Sequence, residues 1–153
     1  MVFVAIGTQK QQFTRIFKKL EDSKILENEE IIAQSGFTKF DSKKIKMLGF
    51  IEQKKLNEYI KEADFVICHG GVGTIFSALN MGKKVLVMPR LKKYKEHKND
   101  HQVEICRELE KEGYILYLKE DDDIDEKIKE LKQKEFKEYK SDDSYLKILK
   151  EVI

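Results

Sequence analysis

Tryptophan is absent, proline occurs once, at Pro89, and cysteine occurs twice, at Cys68 and Cys106. One proline excludes a proline-rich linker, and none of the 153 residues falls in a low-complexity or repeated segment. Two distant cysteines exclude a disulfide framework and a cysteine-rich metal site, and they suit buried thiols in a reducing compartment. No apolar run approaches the ~20 residues that span a bilayer. The start, Met1 to Ile6, has neither the basic residues nor the cleavage site of a secretory signal. The expectation is a soluble, cytoplasmic chain. A charge excess of one sign is also missing, because 30 Lys+Arg face 28 Asp+Glu for a net charge of +2. Nucleic-acid binding needs a basic patch with aromatics. The best stretch, Arg90 to Lys98, is interrupted by Glu96, so no nucleic-acid partner is expected. The same basic loop suits an anionic lipid surface.

What is present is a regular alternation. Val2–Ile6 is an apolar run ending at Gly7-Thr8, and Gln11–Leu20 carries apolar residues at helical spacing. Strands are expected again at 31–33, 45–50, 64–68, 84–88 and 114–118. Helices are expected at 56–63, 75–81 and 101–112, the last two closed by Gly82 and Gly113. Alternating strands and helices predict an α/β fold: one Rossmann-like, doubly wound parallel sheet of about six strands, helices on both faces, in the order 3-2-1-4-5-6. The domain spans 1–118, and 119–153 forms a charged helical extension. In that extension Ile124, Ile128 and Leu131 make one amphipathic face, and Tyr145, Leu146, Leu149 and Val152 another.

Ligands of such sheets bind beyond the carboxyl ends of the strands. Those ends carry Gly7-Thr8, Gln34-Ser35-Gly36, Phe50-Ile51, His69-Gly70-Gly71 and Pro89-Arg90. The turn His69-Gly70-Gly71-Val72-Gly73-Thr74 joins a strand to a helix, where glycines permit close backbone approach and free N–H groups attract phosphate. It is not a P-loop, because no lysine follows. It is not the dinucleotide fingerprint, because Phe76 stands at the third glycine position. A purely structural turn, with His69 a satisfied turn residue, is the competing reading.

Taken in order, Gly49-Phe50-Ile51, Ala63-Asp64, His69 to Thr74, Val87-Met88-Pro89 and Asp100-His101-Gln102 resemble the donor-binding, C-terminal half of GT-B glycosyltransferases of the family 28 type. Within that group the sequence resembles small one-domain subunits. These are the catalytic subunit of the dolichol-linked chitobiose-forming N-acetylglucosaminyltransferase and the PssE-type subunits of bacterial exopolysaccharide and capsule synthesis. The run PRLKKYKEHKNDHQ is especially similar to the latter. The resemblance implies that His69, Gly70, Gly71, Gly73 and Thr74 hold the diphosphate of a UDP-sugar. It implies that the backbone at Phe50 and Ile51 meets the uracil, and that Asp100 and Gln102, with His101 beside them, reach the sugar. Gly7 and Thr8 would line the cleft, Gln34 and Gly36 would lie near the nucleotide, and Arg90 would flank the site. One position departs: where many members carry a ribose-binding glutamate one turn into the helix, this chain has Ser77.

The resemblance further implies inversion at the sugar carbon without a required metal or other cofactor. Asp121-Asp122-Asp123 reads instead as the acidic start of a helix. The general base is unassigned; it would come from a membrane-anchored acceptor-binding subunit, with His97 and His101 the local alternatives. The acceptor would be a polyprenyl-diphosphate-linked sugar at the inner membrane face. Two other readings stay open: a non-catalytic, nucleotide-sugar-binding regulatory module, and an NAD-binding protein.

Overall fold

The computed structural model describes residues 1–140. Its strands are β1 (Val2–Ala5), β2 (Ile31–Gln34), β3 (Ile45–Met47), β4 (Phe65–Cys68), β5 (Val85–Val87) and β6 (Leu116–Tyr117). All pair in parallel, in the order β3-β2-β1-β4-β5-β6. The helices are α1 (Thr14–Glu21), α2 (Gln53–Glu62), α3 (Val72–Asn80), α4 (His101–Lys111) and α5 (Ile124–Gln133). This is the predicted doubly wound sheet. From β1 the chain builds outward through β2 and β3, then returns to add β4, β5 and β6 on the other side. The strand order therefore reverses between β1 and β4, the position at which such sheets open a crevice.

The strand period of two divides the core. On β1, Phe3 and Ala5 point to the face covered by α2, α3 and α4. Val2, Val4 and Ile6 point to the face covered by α1 and α5. Both faces being covered, β1, β2 and β4 are buried throughout, which is why they read as unbroken apolar runs. Ile124, Ile128 and Leu131 of α5 pack into the second face. Asp123 caps that helix by accepting from the Asp125 N–H at 3.0 Å. The amphipathic face predicted at Tyr145 to Val152 lies outside the described residues.

Several boundaries differ from expectation: α2 starts earlier, at Gln53, β6 is shorter, Leu116–Tyr117, and three more lie at the carboxyl edge of the sheet. β3 stops at Met47 rather than reaching Phe50, because Gly49 turns with φ +69° and locks onto the loop after β2. Its carbonyl accepts from Ser35 N and Gly36 N, and its N–H donates to Ser35 Oγ. α1 starts at Thr14 rather than Gln11, because Phe13 N–H donates to Thr38 Oγ1 and the Gln12 side chain ties Phe37 O to Lys39 N. α3 starts earlier than Ile75, at Val72, which places Gly73 and Thr74 inside its first turn.

Candidate functional site

At the crevice, α3 begins at Gly71, its N-cap residue in extended geometry. The first bond of the helical ladder runs from Ile75 N–H to Gly71 O, at 3.2 Å. The N–H groups of Val72, Gly73 and Thr74 precede that bond, so their partners must come from outside the helix. The first turn holds no acidic residue, and no side chain caps it. The positive end of the helix dipole is therefore not neutralised from within.

The glycines around this end do two different jobs. A Cβ on Gly71 would lie 2.4 Å from the His69 ring, and one on Gly70 would lie 2.6 Å from Gln102 Cβ. Gly7, at φ +80°, would place a Cβ 2.7 Å from the same ring. These three glycines make room for His69 and Gln102. Gly73 differs: a Cβ there meets nothing within 4 Å. Among the described residues nothing requires glycine at that position, whereas a ligand resting on the first turn of α3 would.

His69 is buried, and Gln102 fixes its proton. The Gln102 Oε1 atom accepts from Gly70 N–H at 3.0 Å and from Arg90 N–H at 2.9 Å, which sets the orientation of the amide. Its Nε2 therefore donates to His69 Nδ1, at 3.2 Å. The imidazole proton must then sit on Nε2, the edge that faces the gap between Gly7 and Gly71. Burial first, then the charges of Arg90 and His97, push the His69 pKa down to about 3. At neutral pH His69 is an uncharged N–H donor held in one tautomer.

Beside this turn lies a cavity of about 380 Å³, lined by Gly7, Thr8, Gln34, Ile51, Gln53, Leu56, Gly73, Thr74 and Ser77. No lining residue carries a charge. Among the described residues the hydroxyls of Thr8, Thr74 and Ser77 make no hydrogen bond. The cavity is thus a neutral slot with free hydroxyls along its side and unpaired backbone N–H groups at one end.

Residues 1–152 match the glycosyltransferase family 28 C-terminal domain. The chain belongs to that family. Among curated proteins, it is 31% identical over 98 residues to the UDP-N-acetylglucosamine transferase subunit ALG13 of Candida albicans, covering 64% of this chain and 29% of that protein. It is 39% identical over 62 residues to the human protein of the same name, covering 40% of this chain and 5% of that protein. The chain thus spans less than a third of the length of these relatives. Among solved structures, the glycotransferase of kitacinnamycin superposes over 99% of this chain and 38% of its own, with a TM-score of 0.60 at 12% identity. Spinosyn forosaminyltransferase SpnP superposes over 84% and 34%, with a TM-score of 0.57 at 16% identity. The fold is shared with about a third of each of these glycosyltransferase chains.

Within this family 28 domain the predicted residues separate into two groups. Gly7, Thr8, Gln34, Ile51, Gly73, Thr74 and Ser77 converge on the cavity. Gln34 also holds the loop after β1: its Oε1 accepts from Ile6 N–H and Gly7 N–H, and its Nε2 donates to Gly7 O. Gly36, at φ +53°, sits where a Cβ would strike Gly7 O at 2.6 Å. Phe50 is half exposed outside the cavity, edge-on to Phe37 at 4.6 Å.

Arg90 and Gln102 differ from expectation. Both are buried, and their polar atoms turn inward. Arg90 donates to the carbonyls of Ile6, Gln11 and Glu96, and although burial pushes its pKa down to about 10, it stays charged at neutral pH. Gln102 holds His69 and does not face the cavity. Asp100 precedes α4 and accepts from Lys92 N–H at 2.9 Å. It lines another cavity of about 420 Å³ with Arg15, Lys93, Arg107 and Glu120 among others. His101 is exposed at the start of α4. His97 is partly buried, and its Nδ1 accepts from Asn99 N–H.

Sequence reasoning missed Gln53 and Leu56, the far wall of the cavity. Their signal was position: they open α2 just after Ile51, on the carboxyl edge where the other site residues were found. It also missed the pair of half-buried Arg15 with buried Glu96, at 2.8 Å, for which spacing offers no signal.

Proposed function

We propose that this chain is the donor-binding, catalytic subunit of a two-component inverting glycosyltransferase that uses a UDP-sugar. The observation that carries the reading is the neutral slot lined by Gly73 and Thr74, whose N–H groups have no partner among the described residues. A diphosphate laid there meets backbone donors, a helix dipole and the His69 Nε2–H. A nucleoside extending from it runs along the hydroxyls of Thr74 and Ser77 toward Ile51 and Gln53. Family membership supports the reaction class, and the name of the curated relatives supports a UDP-sugar and a subunit organisation.

In the reaction an acceptor hydroxyl oxygen attacks the anomeric carbon. The bond from that carbon to the diphosphate oxygen breaks, and UDP leaves with the electron pair. The hydroxyl proton passes to a base on the partner subunit. The charge growing on UDP is met by the N–H groups of α3, which are already oriented before reaction. That arrangement acts without a divalent ion. The partner is a membrane-anchored acceptor-binding subunit, and the half-exposed Phe37–Phe50 pair beside the cleft suits a face covered in the complex. The acceptor is a polyprenyl-diphosphate-linked sugar at the inner membrane face. The likeness of residues 89–102 to PssE-type subunits points to exopolysaccharide or capsule assembly.

Calorimetric titration with UDP, UDP-sugars, NAD and ATP, each with and without Mg²⁺, tests the reading. Selective uridine nucleotide binding without metal is expected. A preference for NAD, or uridine binding without sugar transfer once the partner is added, would overturn it.

A further inference from the structure

A second concavity opens beside the donor cavity, where the loop after β1 meets the loop after β5. Thr8 lines the donor cavity, and the next residue, Gln9, lines this notch together with Lys10, Gln11, His97 and Lys98. Its volume is about 280 Å³. The chemistry of the two concavities is opposite. The donor slot has no charged lining residue. The notch has two lysines and a histidine, and no carboxylate.

The absence of a carboxylate follows from how the loop is built. Glu96, beside His97 in sequence, is the one acid between Arg90 and Asn99. It is 3% exposed. Its two oxygens accept from Arg15 Nε and NH2 and from Leu91 N–H. Arg90 holds the same loop by donating to Glu96 O and, across the notch, to Gln11 O. The negative charge is thus turned inward, while Lys98 and Lys10 are exposed and, among the described residues, have no ion-pair partner. The local field is positive: after burial, the charges of Arg90, Lys98 and His101 all lower the His97 pKa. By contrast, the two cavities on the β6 side of the sheet each mix cations with carboxylates.

We propose that this notch is a second anion site, separate from the nucleotide slot, that binds the diphosphate of a lipid-linked acceptor. Lys10 and Lys98, which both line the notch, supply the charge. That the anion belongs to an acceptor rests on the glycosyltransferase reading above. The existence of the site does not. Two diphosphates, one in each concavity, would place the acceptor's first sugar against the donor sugar at the boundary between Thr8 and Gln9.

The probes are inorganic pyrophosphate and farnesyl diphosphate, titrated into the whole chain with UDP absent and with UDP saturating. Both are expected to bind in the presence of UDP. The Lys10→Gln, Lys98→Gln double variant should weaken both at least tenfold while UDP binding is unchanged. Binding of pyrophosphate without binding of farnesyl diphosphate would show a free-anion site and overturn the acceptor assignment. Competition by UDP, or no effect of the double variant, would overturn the separate site. If UDP fails to bind at all while pyrophosphate binding depends on both lysines, the notch stands and the donor reading is what fails.

Discussion

The two sides of the crevice use similar residue types to opposite ends. On the α3 side, Thr8, Thr74 and Ser77 have free hydroxyls and the first N–H groups of the helix lack partners within it. On the β5–α4 side, Arg90, Glu96 and Gln102 are buried, and apart from Arg90 Nε their side-chain polar atoms are bonded to backbone or to other side chains. A polar side chain on the ligand edge is therefore not by that fact a ligand contact. What separates the two sides is whether hydrogen-bonding capacity is already spent within the chain. The committed side sets the shape of the crevice, and the uncommitted side is where a ligand gains most, since unpaired groups there lose only water.

The comparison breaks most visibly at Arg90. Arg90→Met leaves the carbonyls of Ile6, Gln11 and Glu96 without their donor. It should cost about 3–5 kcal/mol and lower Tm by roughly 10 °C. Denaturant unfolding of the two proteins checks this. A loss under about 1 kcal/mol would mean that Arg90 is not a structural element of the edge. Gly71→Ala comes next. Its methyl would meet the His69 ring, so destabilisation of about 1–3 kcal/mol is expected in the same assay.

The pH dependence follows from His69, whose folded pKa lies below its unfolded value of 6.5, at about 3. Between those values the unfolded chain takes up a proton that the folded chain refuses. Stability from this group is complete above the unfolded value and falls as pH falls, by up to about 1.4 kcal/mol per pH unit. Tm measured from pH 7 to pH 5 should decline, and His69→Gln should flatten the decline. An equal slope in the variant would show that His69 takes a proton in the folded state. The smallest effect is expected at Ser77, which offers one hydroxyl where many relatives in the sequence resemblance carry a carboxylate. Ser77→Glu should tighten UDP binding by roughly tenfold through a charge-assisted bond. Unchanged affinity would place the ribose away from that wall.

Much of this comparison was legible in the sequence, and the illegible part has one physical cause. Strands buried on both faces read as apolar runs, and parallel pairing with right-handed crossovers left the observed strand order. The glycine-rich turn between β4 and α3 was legible because a strand, three closely spaced glycines and a helix are local in sequence. The end of β3 and the start of α1 were not, since Gly49 and Thr38 act through loops distant in the chain. Nor was the inward orientation of Arg90, whose partners Gln11 and Ile6 lie 79 and 84 positions away. Local pattern located the edge; only the tertiary hydrogen bonds separated its committed groups from its free ones.

Gly73 is a glycine that nothing among the described residues requires. The direct measurement is UDP affinity by calorimetry, with unfolding stability in parallel, for the unmodified chain and for Gly73→Ala. Because the added Cβ meets nothing and lies in the first turn of α3, stability should hold or rise by about 0.5–1 kcal/mol. UDP affinity should fall at least tenfold, because the methyl occupies the space over the free N–H groups. Undiminished UDP binding in a stably folded Gly73→Ala protein would contradict the claim that the phosphates rest on the start of α3.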